Sequence, residues 1–412
     1  AELYAALRSV SSGRAAGPHQ GECERCHSEH GDGPIAYPEA LTGPNDNTLC
    51  AGCHTQDWAG GSYPGTSKYT ESSHGQDPLA VWPGPTPPPR VEAQAAGKCV
   101  NCHDPHGWAD AAGEIPHILI AREEDLCLGC HDGSPARANI KLDAIKAFRH
   151  PMTDYSDRHS GPLESTPSDF AVTPINRRHA ECEDCHNAHL AQADRAAPGA
   201  PDLSATNRGV SRLLVQNGPA GTPPSFTFLP GSDTLTTPLA EYQLCFKCHS
   251  SWTTQPSGQT DLARVLNPAN ASYHPVEAAG RDLNIRPGAF EMGWSANSMT
   301  ACGDCHGSDS GQARGPHGSS YRYLLNRPYT ASPASRTMDS NEICFACHAY
   351  DVYANPNSAE LVRTASRFNK PGAEKGHAEH VGEEGVTCYS CHTTHGSADR
   401  PHLLVLGRLP GI

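Results

Sequence analysis

The apolar residues of this chain are gathered in short groups that recur along the sequence and are separated by polar stretches. Aliphatic pairs and single aliphatic residues occur at Ile118-Leu119, Leu213-Leu214, Leu324-Leu325 and Leu403-Leu404, and at Leu49, Leu126, Leu244 and Ile343. No apolar run is long enough to form a membrane-spanning helix. The pattern predicts short helices, little or no strand and mostly irregular coil.

Composition limits how such a chain can fold. Aromatic residues make up 6% of the 412 residues, methionine contributes 4, glycine 39 and proline 36. Large apolar side chains are therefore too few to fill a conventional core, and something else has to supply buried apolar surface. The net charge of -14 argues against nucleic acid as a partner, because phosphate binding depends on basic side chains.

All 18 cysteines lie in nine copies of the pattern Cys-x-x-Cys-His. The cysteines are Cys23, Cys26, Cys50, Cys53, Cys99, Cys102, Cys127, Cys130, Cys182, Cys185, Cys245, Cys248, Cys302, Cys305, Cys344, Cys347, Cys388 and Cys391. The histidines that follow them are His27, His54, His103, His131, His186, His249, His306, His348 and His392. This is the attachment signature of c-type haem, in which each cysteine adds to a vinyl group and the histidine ligates the iron.

Zinc knuckles, redox dithiols and disulfides also use Cys-x-x-Cys, but none of them needs a histidine after the second cysteine every time. The sequence therefore predicts nine covalently bound c-type haems, and so a multihaem cytochrome c. We expect these flat apolar rings to stack and build the core of the protein. Without haem the chain should not fold.

The motifs alternate between two types. Type A motifs are followed by a further histidine, and they begin at Cys23, Cys99, Cys182, Cys302 and Cys388. Type B motifs are preceded by Leu or Ile, and they begin at Cys50, Cys127, Cys245 and Cys344. The repeat predicts one continuous array of two-haem modules, at approximately 17–82, 90–155, 175–275 and 295–370, with a C-terminal half module at 376–412.

Histidines outside the motifs supply candidates for the second axial position of each iron. Histidine accounts for 24 residues and nine lie in the motifs, so 15 remain for nine positions. Five follow type A motifs, namely His30, His106, His189, His317 and His395. Four lie between a type B motif and the next type A motif, namely His74, His150, His274 and one of His377 and His380. The two groups together match the nine positions required.

The remaining candidates carry weaker signals. His19 precedes the first motif and is a tenth histidine of the pattern, without an obvious tenth iron; it has either an intrachain or an intersubunit role. His179 is an alternative to His150, while His159 is predicted to be solvated. We expect His117 and His402 at the surface or near a haem propionate, and Met152, Met292, Met299 and Met338 to fill the core rather than ligate iron.

The spacing within type A motifs constrains the distance between haems. A histidine three residues after the motif histidine cannot reach the far face of the same haem, so it has to ligate a neighbouring iron. Two ligands so placed have Cα atoms at most about 10 Å apart. Adjacent rings should therefore nearly touch along the chain.

Iron with two histidine ligands has no vacant site for a substrate, so such haems carry electrons and do not transform molecules. The sequence accordingly predicts an electron carrier and not an enzyme. Two other classes stay open: a terminal reductase with one open haem, and a structural haem-bearing module of a larger outer-membrane complex.

The chain resembles bacterial multihaem c-type cytochromes of the doubled CXXCH kind. The resemblance rests on Cys99-Val-Asn-Cys-His-Asp-Pro-His106-Gly, Leu126-Cys-Leu-Gly-Cys-His and His150-Pro. It is also similar to the extracellular cytochromes of metal-reducing bacteria, including those that form conductive filaments. That similarity implies export to the outer cell surface or beyond, with the periplasm as the alternative. The implied partners are other cytochromes, further copies of the chain in a homopolymer, and an acceptor such as a mineral or an electrode.

Overall fold

The computed structural model describes a subset of the chain, which lies mostly in its C-terminal three quarters. The described residues are 26–28, 41–44, 47–54, 66–76, 99–107, 109–110, 113–155, 159, 165–170, 177–193, 199–232, 239–282, 284–311, 313–368, 372 and 376–406. Cys23, His19 and His30 lie outside them. The described backbone is mostly coil with short helices and small strand pairs, which confirms the architecture predicted from the sequence.

Helices are short throughout the described residues. The α-helices are α1 (Asn47–Ala51), α2 (Ser73–Gln76), α3 (Glu123–Leu128), α4 (Ile140–Asp143), α5 (Cys182–Cys185), α6 (Glu241–His249), α7 (Leu262–Val265), α8 (Tyr350–Tyr353) and α9 (Glu360–Arg363). Turns of 3₁₀ helix lie at Thr66–Glu71, Cys99–Asn101, Pro116–Ile118, Ala205–Asn207, Cys302–Asp304, Arg322–Leu324, Ile343–Ala346, Cys388–Ser390 and Pro401–Leu403, and a π-helical turn at Ala378–Glu383. None of the helices in this part of the chain is long and apolar enough to cross a membrane.

Strands occur only as antiparallel pairs among the described residues. They are β1 (Ala109–Asp110), β2 (Gly113–Glu114), β3 (Phe148–Arg149), β4 (Arg212–Gln216), β5 (Ser225–Leu229), β6 (Ser272–Tyr273), β7 (Gly318–Ser319) and β8 (Gly396–Ser397). The hairpin β4–β5 runs in register from Arg212 opposite Leu229 to Gln216 opposite Ser225. The pairs β3–β7 and β6–β8 instead join segments more than a hundred residues apart in the sequence. In these pairs Phe148 lies opposite Ser319, and Ser272 lies opposite Ser397.

One conventional core lies where α6 packs on the β4–β5 hairpin. Leu213 and Phe246 are fully buried there, and Leu266 and Val276 complete the cluster. Leu213 therefore packs in this core rather than behind a type A motif, because it lies in the first strand of the hairpin. The other apolar clusters are smaller; one consists of Ile120, Leu126 and their neighbours.

A connected cavity of about 5480 Å³ runs through the part of the chain that the structure describes. Cysteines and histidines of the motifs line it, together with the aliphatic residues beside them. Protein interiors are normally close-packed with few voids larger than a water molecule. A cavity of this size and lining therefore indicates a place for large apolar groups that are integral to the fold.

Candidate haem-binding site

Both motif types fold into a tight turn that points its cysteines and histidine into the cavity. Type B motifs lie in or at the end of helices, as at α3, where the His131 backbone N–H donates to the Cys127 carbonyl at 2.9 Å. Type A motifs make the same bond, since the His103 N–H donates to the Cys99 carbonyl at 3.0 Å. The first cysteine and the histidine thus share one face of the turn.

A backbone carbonyl orients the imidazole of four described type A motifs. The Nδ1 atoms of the motif histidines lie 2.8 to 3.0 Å from carbonyl oxygens in the pairs His103–His117, His186–Thr206, His306–Tyr323 and His392–His402. This contact fixes the ring and leaves Nε2 directed at the cavity. Histidines that bind metals are typically held through the other ring nitrogen in this way.

Three of these carbonyls come from a strained turn. The pairs of residues with positive φ are His117-Ile118 (59° and 53°), Tyr323-Leu324 (63° and 60°) and His402-Leu403 (56° and 57°). This region costs roughly 1–2 kcal/mol per residue for an L-amino acid. Its recurrence behind three type A motifs indicates that the strain is retained to place the carbonyl.

The histidine side chains in these turns lie at the exposed rim of the cavity. His402 is 58% exposed, and its Nδ1 lies 2.6 Å from Asp282 Oδ2. His117 is also exposed. The surface position expected for both residues from the sequence is therefore confirmed.

Seven motif histidines each face a second histidine across the cavity at nearly the same distance. The ring centroids are 6.0 Å apart in His27–His106 and His103–His189, 6.1 Å apart in His74–His131, His150–His249, His186–His317 and His306–His395, and 6.2 Å apart in His377–His392. A metal–nitrogen bond to imidazole is about 2 Å long, and the ring centroid lies about 1 Å behind the nitrogen. One iron between two rings thus requires a centroid separation of about 6 Å, so the residues fit the group.

Burial favours the neutral form of several of these rings, which metal ligation requires. Burial lowers the pKa of His131 to about 4, helped by the nearby rings of His74 and His186. Burial likewise lowers the pKa of His317 to about 3 and that of His377 to about 4.

The structure separates candidates that the sequence left together. His377 faces the motif histidine His392, whereas His380 is 50% exposed and lies 3.7 Å from Glu384. Burial lowers the pKa of His348 to about 4, and the nearby ring of His274 adds to this effect. His30 and His19 fall outside the described residues.

His150 faces His249, while His179 packs in a different place. Its ring centroid is 4.7 Å from that of His159, and its Nε2 is 3.4 Å from Glu181 Oε1. The expectation of a solvated His159 is wrong, because its side chain is only 2% exposed. The rings of Phe170 and His179 cover His159. Both residues lie outside the polar stretch around His159, so the local sequence did not indicate this burial.

The prediction that the methionines fill the core is confirmed only in part. Met152 is 7% exposed and buried, and Met338 packs beside the cluster around Phe345. Met292 is 99% exposed, so the prediction is wrong for this residue. It lies in an extended surface loop, next to Gly293 with a positive φ of 96°.

The first cysteine of each type B motif contacts the first cysteine of the next type A motif. The contacting pairs, which we call the cysteine junctions, are Cys50–Cys99, Cys127–Cys182, Cys245–Cys302 and Cys344–Cys388. Sequence reasoning grouped each type A motif with the type B motif after it. The thiol contacts instead join each type B motif to the type A motif after it. Two rings attached at one cysteine junction have to meet at their edges.

Comparison with known proteins agrees with this chemistry. Residues 17–58, 92–136 and 295–352 match the family model named Doubled CXXCH motif. No curated protein and no solved structure matches the chain. The three matches support a multihaem c-type cytochrome of the doubled CXXCH type. The motifs themselves indicate covalently bound haem, which is suited to electron transfer.

Proposed function

We propose that the protein transfers electrons over a long distance through nine closely spaced c-type haems, each ligated by two histidines. The observation that carries this proposal is the set of seven imidazole pairs at 6.0 to 6.2 Å across the cavity. Iron held on both sides by imidazole exchanges an electron with little movement of its ligands. The cysteine junctions support short gaps between consecutive rings. Saturated iron favours a carrier over a terminal reductase.

The ligand pairs follow a regular register along the chain. The histidine after a type A motif faces the type A histidine two motifs earlier, as His106 faces His27 and His395 faces His306. The histidine after a type B motif faces the type B histidine two motifs later, as His74 faces His131. His377, after the fourth type B motif, departs from this register, because it faces His392 of the type A motif that comes next.

Extending this register assigns the remaining positions. His274 follows the third type B motif and would ligate the haem of His348. His19 precedes the first type A motif, as His74 precedes the second, so it would ligate the haem of His54. His19 and the other eight assignments supply one second ligand to each of the nine irons, and His30 is the histidine left over from the ten of the repeat. The surplus ligand of the repeat is thus His30 rather than His19.

We further propose that the protein is exported and joins into an extracellular filament, in which His30 lies at the contact between neighbouring copies. The similarity to filament-forming cytochromes and the surplus ligand support this assembly. A mineral, an electrode or another cytochrome would accept the electrons. A periplasmic shuttle and a haem-bearing module of an outer-membrane complex are the alternatives, and both lack a polymer.

Electron paramagnetic resonance of the holo-protein tests the ligation. We expect only low-spin ferric signals in the native protein. His317→Ala should convert one haem to a high-spin species, because it removes the partner of His186. His380→Ala is the matched control and should leave the spectrum unchanged. A high-spin signal in the native protein that binds small ligands would contradict the proposal and favour a reductase.

Electron microscopy of material sheared from cells tests the assembly. We expect fibres from the native protein and shortened fibres or single particles from His30→Ala, with its low-spin spectrum retained. His19→Ala should instead create one high-spin haem within each chain. Single particles under all conditions would contradict the filament, and co-purification of those particles with outer-membrane proteins would favour the structural module.

A further inference from the structure

A glutamate lies beside the two sulfurs at the Cys245–Cys302 junction. The Glu241 carboxylate and both Sγ atoms lie within 4.8 Å of one another. Glu241 Oε1 accepts a hydrogen bond of 2.5 Å from the backbone N–H of Gly303, the residue after Cys302. The first turn of α6 therefore holds a carboxylate where two attached rings would meet.

The same arrangement recurs at two other junctions. Glu123 Oε1 accepts a 2.6 Å hydrogen bond from the backbone N–H of Glu183, the residue after Cys182. The Glu342 carboxylate lies within 4.8 Å of the sulfurs of Cys344 and Cys388. Its Oε1 accepts a hydrogen bond of 2.7 Å from the backbone N–H of Thr330. The donor to this carboxylate therefore does not belong to the type A motif.

The first junction has a related hydrogen bond without the charge, in which the donor is the N–H of the type A cysteine itself. Asn47 Oδ1 accepts a hydrogen bond of 2.8 Å from the backbone N–H of Cys99 at the Cys50–Cys99 junction. An amide oxygen replaces the carboxylate in the same structural role. The hydrogen bond alone therefore does not require a glutamate at the other three junctions.

The charges that act on these glutamates are negative. They are Glu183, Glu124 and Glu181 around Glu123, Asp304 near Glu241, and Asp339 near Glu342, apart from the junction cysteines. The cysteines carry no charge once they are thioethers. Burial raises the pKa of Glu241, and the hydrogen bond from Gly303 offsets only part of this effect. Burial likewise raises the pKa of Glu123 and of Glu342.

Ferric haem would bring a positive charge close to such a carboxylate. A low-dielectric site makes the interaction between the two strong, so the carboxylate is stabilised as an anion while the iron is oxidised. Reduction removes that positive charge, and the buried anion is then left among other acidic groups. The group is thus poised to bind a proton when the haem gains an electron.

We propose that the junction glutamates couple the reduction of the adjacent haems to proton uptake, and that Asn47 leaves the first junction without this coupling. The inference rests on the proposed function, because it needs a haem on each cysteine pair. One electron from the donor reduces one Fe(III) to Fe(II), and one proton from water converts the carboxylate to a carboxylic acid. No bond to iron forms or breaks, and the net charge of the junction is unchanged.

Solvent access differs between the junctions. Glu241 and Glu123 are partly exposed, so water can deliver the proton directly, whereas Glu342 is fully buried. Proton uptake should therefore be fast at the Cys245–Cys302 junction. The Cys245–Cys302 junction is also the best one to test. The other buried titratable pair, His159 and His179, lies beside Glu181 at the Cys127–Cys182 junction and does not complicate the measurement.

The test uses the full-length holo-protein and counts protons taken up on complete reduction with a pH indicator. Glu241→Gln keeps the acceptor for the Gly303 N–H and removes the charge. We expect it to take up about one proton fewer per chain, because the linked group is gone. Its reduction curve should shift to higher potential at high pH, and the carboxylic acid band should weaken in the infrared difference spectrum.

Two further variants complete the test. Asn47→Asp introduces the charge at the first junction and should increase proton uptake, and it provides a second route if Glu241→Gln folds poorly. Glu360→Gln removes an exposed carboxylate in α9, which does not line the cavity, and should change nothing. Unchanged proton uptake in both junction variants, with low-spin spectra retained, would overturn this inference alone. High-spin or missing haem in the native protein would instead overturn the proposed function.

Discussion

The regions around α6 and around α3 hold the same kind of motif in two different ways. Phe246 in α6 is fully buried against Leu213 of the β4–β5 hairpin, in a cluster with side chains from three elements. At α3 the buried apolar residues are Leu126 and Ile120, and they pack mainly on cysteines and small neighbours beside the cavity. A polypeptide core thus supports one motif, whereas at the other the cavity occupies the place of a core.

The largest effect should come from removing haem. In a chain produced without haem attachment, we expect amide protection to be lost around α3, α5 and the 3₁₀ turns that line the cavity. The β4–β5 hairpin with α6 should keep most of the residual protection, since Leu213 and Phe246 at its centre pack on each other and do not line the cavity. Hydrogen exchange with mass spectrometry measures both regions at once. Equal protection in the two regions would contradict the comparison.

Core substitutions in the holo-protein should distinguish the regions next. Phe246→Ala should cost about 3–5 kcal/mol of local opening free energy, because the cluster around it cannot collapse into the space. Leu126→Ala should cost less, about 2 kcal/mol, since α3 rests largely on the bound group. Native-state hydrogen exchange of α6 and α3 provides the two values. A larger loss at α3 would reverse the assignment of the two cores.

Polar links tie the cavity-lined region together where apolar packing is scarce. Lys146 Nζ lies 2.7 Å from Asp143 Oδ1 and 2.5 Å from Asp309 Oδ1, and this bridge runs beside the β3–β7 pair. The Asp143 side chain is only 2% exposed. Lys146→Met should therefore cost about 2 kcal/mol, through lost charged hydrogen bonds and a buried carboxylate without its cation.

The bridge also predicts a pH dependence. Burial acts to raise the pKa of Asp309, but hydrogen bonds from Lys146 and Ser320 outweigh it and lower the pKa below its ordinary value. The stabilisation is present above the unfolded pKa of about 4 and is lost as the pH falls through the lower folded pKa. Asp309→Asn should flatten this acid dependence of amide exchange in β3. The same slope in both proteins would place its origin elsewhere.

The smallest effect concerns the strained turns. His117→Gly should leave the haem spectrum intact and raise local stability by about 0.5 kcal/mol, because relief of the positive φ exceeds the entropic cost of glycine. Thr206 offers its carbonyl to His186 from a turn without positive φ. Thr206→Gly is thus the matched control, and it should lower stability by about 0.5 kcal/mol. Hydrogen exchange of the two turns during chemical denaturation compares the local stability of the two variants.

The candidate site was predictable where it depends on neighbouring residues. The thiols and imidazole of one motif need only a single turn, so the spacing in Cys127, Cys130 and His131 was enough to infer a haem. The five histidines after type A motifs were equally local, and His106 and His317 do face motif histidines. The glutamates of the cysteine junctions went unnoticed, although Glu123 and Glu241 share a spacing of four residues before a type B cysteine.

The sequence by itself determined the chemistry of attachment, the scarcity of apolar side chains and therefore the coil-rich fold. Only the tertiary structure decided which histidines oppose each other, that His377 rather than His380 faces His392, and that His159 is buried. The physical reason is distance along the chain. Covalent attachment acts within five residues, whereas a ligand pair such as His186–His317 joins positions that only the complete fold brings together.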